Sequence, residues 1–189
     1  MSEKTVYRLK VTLRGSEPAI WRRILVSADI TLRRLHGVLQ TVMGWSGFHL
    51  YQYRVGSAFY GRPHPDYGFE MQSDARTKLS DVLTGEGEKI IYDYDFGDSW
   101  EHTLLLEASQ PAERGVRYPL LLDGARRCPP EDCGGIGGFH NFLEALKDPA
   151  HPEHMMWEEW WGGPFDPKEF DALDINAALH PPRRTGRKV

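Results

Sequence analysis

The sequence predicts an α+β fold: a mixed β-sheet wrapping one main helix, with a loop- and short-helix-rich C-terminal extension packed on it. Three observations carry this. Two alternating segments near the N-terminus precede a helical apolar stripe. A second alternating pair flanks a Gly-Asp-Ser turn at residues 97–99. After residue 108, regular periodicity gives way to prolines, glycines and short helical patterns. The resulting order, β-β-α-β-β-β, is β-grasp-like.

The elements follow in order. Val6 to Arg14 alternates, with Tyr7, Leu9, Val11 and Leu13 on one side and Arg8, Lys10 and Thr12 on the other, the period of a half-buried strand. Gly15-Ser16-Glu17-Pro18 is a turn, and Ile20 to Val26 is the returning strand, with Arg22 and Arg23 on opposite faces. Thr31 can cap a helix through its hydroxyl. Leu32, Leu35, Leu39, Val42 and Met43 then form a stripe that faces a sheet, and Gly44 suits the left-handed position that ends the helix. His49 to Val55 reads as a strand, Phe59 to Pro65 as a short strand or loop, and Leu79 to Leu83 as a helical turn. Lys89 to Phe96 and Trp100 to Glu107 form a hairpin. Beyond Ala108, an ordered loop is expected up to a helix over Phe139 to Lys147. Two more helices are expected over Glu153 to Trp161 and Pro167 to Leu173.

At 189 residues and 40% apolar content, the chain suits one domain over residues 1–180, with a basic, flexible tail at 181–189. No apolar run is long enough to cross a bilayer, and no export signal opens the sequence, so a cytoplasmic protein with no membrane partner is expected. In such a compartment Cys128 and Cys133 are expected as free thiols before a disulfide. The net charge of −4 is uneven: residues 1–62 carry +7, residues 63–182 carry −15, and residues 183–189 carry +4. The bland explanation is mutual attraction of the two halves. The alternative is a nucleic-acid surface, which the scattered positives do not favour.

Four constellations could carry chemistry. The first is Tyr92 to His102. If its turn has two residues, Trp100 and His102 share a face with Asp93 and Asp95, and Asp98 and Glu101 lie near the tip. That cluster could hold a divalent cation, Mg²⁺ or Mn²⁺, or perform acid–base work. The alternatives, in order, are an internal Arg–Asp network with Arg22 and Arg23 and a solvated hairpin. The second is Cys128-x4-Cys133, at the permissive end of zinc-ligand spacing. It needs further ligands such as His102, His140, His151 or His154. A structural loop with buried thiols is the plainer reading. The third is Trp45 to His49, which with His36 and Trp100 could wall a cleft or simply belong to the core. The fourth is Trp157, Trp160 and Trp161, either a cover for the sheet or a groove for a partner.

Several motifs together resemble the plasmid pRiA4b ORF-3-like family. They are Ile20-Trp21-Arg22-Arg23, Leu35-His36, Gly44-Trp45-Ser46-Gly47-Phe48-His49-Leu50, and Tyr92 to His102. The series continues with Cys128-Pro129-Pro130-Glu131-Asp132-Cys133-Gly134-Gly135 and with Phe165-Asp166-Pro167 followed by Asn176. The resemblance spans about residues 5–180. Some family members carry the label of transposon-passenger TnpR proteins, which bears on genetic neighbourhood. Nothing in this chain looks like a serine-recombinase active site. The resemblance implies a shared fold and no established activity.

Phosphate-loop, nucleophile-elbow and recognition-helix motifs are all missing. The expected function is therefore a binding or adaptor module with an acidic–aromatic cleft for a protein or small ligand. Two alternatives stand beside it: a metal-dependent hydrolase or nuclease built on the Asp/Glu/His hairpin, and a mobile-element-associated DNA-binding protein.

Overall fold

The structure is a computed structural model, and it describes residues 4–62 and 70–181. The last part of the segment read as a strand or loop up to Pro65, and residues 182–189 of the basic tail, lie outside the described residues.

The helix and the hairpins form where the side-chain periods place them. Strands β1 (Thr5–Leu13) and β2 (Trp21–Ser27) pair antiparallel, from Val6 opposite Ser27 to Thr12 opposite Trp21. Helix α1 (Leu32–Met43) starts at Thr31, whose Oγ1 accepts from Arg34 N, and ends at Gly44 with φ 80°. Strands β3 (Tyr51–Val55), β4 (Ala58–Gly61) and β5 (Met71–Ser73) follow, then the one-turn helix α2 (Leu79–Val82). Strands β6 (Lys89–Tyr94) and β7 (Trp100–Pro111) make the second hairpin, and β8 (Leu120–Ala125) completes the sheet. The eight strands run in the order β5-β4-β3-β6-β7-β1-β2-β8, and every pairing is antiparallel except β4 with β5. The fold is thus a mixed α+β arrangement on a mostly antiparallel sheet.

One sheet face and α1 enclose the core. Leu9, Val11, Ile24, Tyr53, Tyr92, Tyr94, Trp100 and Leu104 from the sheet meet Leu32, Leu35, Leu39 and Val42 from the helix. Each apolar side chain buried this way contributes roughly 1.5–3 kcal/mol relative to exposure. Three short helices cover one end: α3 (Gly135–Lys147), α4 (His154–Trp161) and α5 (Ala172–Leu179). None of the described helices is long and apolar enough to cross a membrane.

Three expectations are corrected here. The stretch after Ala108 is not one loop: β7 runs on to Pro111 and Leu120–Ala125 forms an edge strand beside β2. On the far side of β8, where another strand would sit, Asn176 of α5 takes over. Its Oδ1 accepts from Leu121 N and its Nδ2 donates to Leu121 O, both at 2.9 Å. The last helix begins at Ala172 rather than Pro167. Asp171 caps it by accepting from Leu173 N and Asp174 N. The turn between β6 and β7 has five residues, not two. Tyr94 therefore faces Trp100 and Tyr92 faces His102, while Asp93 opposes Glu101. An odd change in loop length moves every side chain of a strand to the other face. Trp100 and His102 thus lie inside with the tyrosines, away from Asp93.

Candidate functional site

That register separates the residues of the acidic hairpin. On the outer face, Asp93 receives Nε of Arg54 at 2.8 Å, and Glu101 pairs with Arg54 and Arg14. They are part of an Arg–Asp/Glu network, though its arginines are Arg54 and Arg14 rather than Arg22 and Arg23. Arg23 lies on the same outer face and holds Glu107 through Nε at 2.7 Å and Nη2 at 2.9 Å. Arg22 points inward and is 3% exposed. Its guanidinium donates to the carbonyls of Val42, Trp21, Ala125 and Arg126 at 2.8–2.9 Å and to Cys128 Sγ at 3.0 Å.

His102 is fully buried against Trp45 and Tyr92. Burial lowers its pKa to about 4, and His36, stacked on Tyr51 at 3.6 Å, is lowered to about 4 for the same reason. Both imidazoles are neutral in the fold. Below the unfolded value of about 6.5, the unfolded chain takes up protons that the native state refuses, so stability falls as pH drops from about 6.5 towards 4. For His102 the loss reaches roughly 3 kcal/mol at the lower end. Urea midpoints of the wild type should fall more between pH 7.5 and pH 5 than those of His102→Phe. Parallel pH profiles would contradict this assignment.

The cysteine loop does not gather His102. Among the described residues, the one group of three or more convergent His, Cys, Asp or Glu ligand atoms is His49, Asp95 and Asp132. Both cysteines are buried free thiols. Burial raises the Cys128 thiol to about 11. Burial, with Asp98 nearby, raises Cys133 to about 12. Among the described residues no His, Asp or Glu completes a convergent ligand set with them. The loop between them matters for its acids instead.

Three motif loops meet at the end of the sheet beyond Tyr94: residues 44–50, 95–99 and 128–135. Glu131 joins them. Its Oε2 accepts from Ser46 N at 2.9 Å and Ser46 Oγ at 2.5 Å, and its Oε1 accepts from the Tyr94 hydroxyl at 2.5 Å. Burial alone would raise the Glu131 carboxyl, but the Ser46 and Tyr94 hydrogen bonds outweigh it and hold the pKa below the usual value. Trp45 Nε1 donates to Pro129 O at 2.9 Å, and Gly134 N donates to Asp98 Oδ2 at 3.2 Å. Gly135 has φ +67°, and a Cβ there would overlap Asp98 O, so only glycine allows this approach. At the rim, His49 lies between two carboxylates: Nδ1 is 3.7 Å from Asp95 Oδ2, and Nε2 is 3.2 Å from Asp132 Oδ1. Asp95 and Asp132 adopt φ 57° and 61°, a conformation rare for non-glycine residues and concentrated at functional sites.

Beside this junction, a cleft of about 690 Å³ opens between the end of α1, the 127–131 segment, α4 and α5. Trp45, Trp160 and Trp161 line it together with Glu131, Asp171 and Asp174. Arg22 and Trp45 of the predicted cleft set reach it. Trp100 is part of the core, His36 sits under Tyr51, Arg23 is on the outer sheet face, and His49 belongs to the junction. Asp132 and the α5 acids were not among the expected site residues. Glu131 and Asp132 lie inside the Cys128-x4-Cys133 spacing, where the cysteines draw attention first, and Asp171 and Asp174 lie far beyond it in the chain.

Fold and site together define a mixed α+β protein whose motif residues concentrate on one loop junction and the cleft beside it. The family model described as plasmid pRiA4b ORF-3-like protein matches residues 5–174, and the chain belongs to that family. It is 44% identical over 173 residues to the uncharacterized protein y4hQ of Sinorhizobium fredii, covering 91% of this chain and 87% of that one. It is also similar to the crystal structure of MM3350, a protein of unknown function from Methanosarcina mazei Go1. The TM-score is 0.84 and the identity 38%, over 92% of this chain and 97% of that one.

Proposed function

We propose that the protein is a cytoplasmic binding module whose cleft takes a basic, partly apolar peptide segment of a partner protein. The observation that carries this reading is the pairing of exposed tryptophan surface with carboxylates in a single concave site. Trp160 is 45% exposed, and Met155 and Met156 beside it are more so. Asp171 and Asp174 stand exposed across the cleft from these tryptophans. Arg22, the cation in the wall, has its donors committed to carbonyls and Cys128, and Arg127 pairs with Glu169. The walls therefore offer acceptors and aromatic faces, which suit Lys or Arg side chains flanked by apolar ones. The β-grasp-like reading of the sheet around α1 belongs to the same proposal, because it treats the sheet as a rigid platform for a docking site.

Intrinsic tryptophan fluorescence during titration with a synthetic peptide of alternating arginine and leucine tests the reading. A saturable change is expected, weakened at least tenfold by Trp160→Ala and by Asp174→Lys. Asp174 is exposed, whereas Trp160 also packs on Phe142 and Trp157, so urea midpoints of both variants are measured alongside to establish that each is folded. Equal binding by the wild type and both variants, or no saturable change at all, overturns the cleft as the binding site.

A further inference from the structure

We propose that His49, Asp95 and Asp132 form a binding site for one divalent transition-metal ion, Mn²⁺ or Zn²⁺, at the junction of the three motif loops. One ligand atom from each residue lies within 4.8 Å of the others, and the three come from three separate loops. Asp95 is the anchor. It is 7% exposed; its Oδ1 accepts from Gly97 N at 3.0 Å, while Oδ2 faces His49 Nδ1 at 3.7 Å. A carboxylate held mostly out of water is stabilised when a cation completes it.

Charge points the same way. Elsewhere the buried and half-buried carboxylates of the sheet have arginines: Arg33 on Asp74, Arg54 on Asp93, Arg14 and Arg54 on Glu101, Arg8 and Arg23 on Glu107. At the junction, Asp95, Asp98, Glu131 and Asp132 gather with no Lys or Arg ion pair among the described residues. His49 is the single basic group paired with any of them. Four carboxylates around one imidazole make a strongly electronegative corner.

The donor set selects the ion. Imidazole with two carboxylates suits Zn²⁺ and Mn²⁺ better than Mg²⁺, which prefers oxygen ligands and keeps its waters. Three protein ligands leave coordination positions for water or an oxyanion, as open sites do. The site is independent of the peptide-cleft reading, since its ligands lie outside the cleft wall.

The test uses full-length protein stripped with chelator and dialysed. Mn²⁺ is titrated in and the free ion followed by electron paramagnetic resonance, with Zn²⁺ added in competition. One saturable Mn²⁺ per chain is expected, displaced by Zn²⁺. His49→Ala and Asp132→Asn should each weaken binding at least tenfold, whereas Asp93→Asn leaves it unchanged. Asn tolerates the left-handed backbone at position 132, so Asp132→Asn removes charge without strain. Urea midpoints confirm that each variant is folded. No saturable binding by the wild type, or binding indifferent to both junction substitutions, overturns the proposal.

Discussion

Replacing Arg22 by methionine lowers stability by about 3–5 kcal/mol, a large share of what a domain of this size possesses. The side chain is nearly inaccessible, yet among the described residues no carboxylate forms an ion pair with it. Its charge is spread over four backbone carbonyls and a thiol drawn from β2, the end of α1 and the 125–128 segment. Methionine has similar reach but no donors, so carbonyls of Val42, Ala125 and Arg126 lose partners in a dry setting, each at about 1–3 kcal/mol less any relaxation. The neighbour supplies the control. Arg23→Met removes partly exposed pairs with Glu107 and Asp123 and a cation–π contact with Trp21, and should cost about 1 kcal/mol. Urea unfolding of the two variants separates the assignments; equal losses would contradict them.

Gly138→Ala is the second large effect, at about 3 kcal/mol. A methyl group at this position in the first turn of α3 would overlap the carbonyl oxygen of Cys133, and that neighbour is backbone, with no rotamer to yield. Either α3 shifts outward or the 128–135 loop moves. The second course displaces Glu131 and Asp132, so the variant should lose Mn²⁺ binding along with stability. Gly137→Ala, one residue earlier with open space around it, should be neutral or slightly stabilising in the helix. Thermal denaturation of the pair reads this directly. A Gly138→Ala protein as stable as the wild type would mean the loop is not wedged against the helix.

The helix α1 and the first hairpin were legible because their side-chain periods are long and their caps are strong. The fate of Asp93 to His102 was not. Alternation was visible in both strands, but the phase between them hangs on the loop length. Gly97-Asp98-Ser99 looks like the turn itself when it is the middle of a longer loop. Strand β8 was hidden because three consecutive leucines show no alternation and its outer edge is satisfied by Asn176, 55 positions further along the chain than Leu121. The motif loops were all visible as dense segments. Their meeting was not, since nothing in the local pattern of residues 44–50 announces that Ser46 reaches Glu131.

The position of β1 in the sheet has a consequence for how the chain acquires its structure. The earliest made of these eight strands lies between β7 and β2, and its residues Thr5 to Leu13 pair with residues as far on as Pro111. At ordinary elongation rates, about 5–20 s pass before that neighbour exists. Meanwhile the β1–β2 ribbon holds an unpaired edge and an uncovered apolar face, and closure then spans roughly a hundred residues. Folding is therefore slow and delayed until most of the chain is made, and nascent fragments ending before β7 are the species most exposed to aggregation and to chaperone capture.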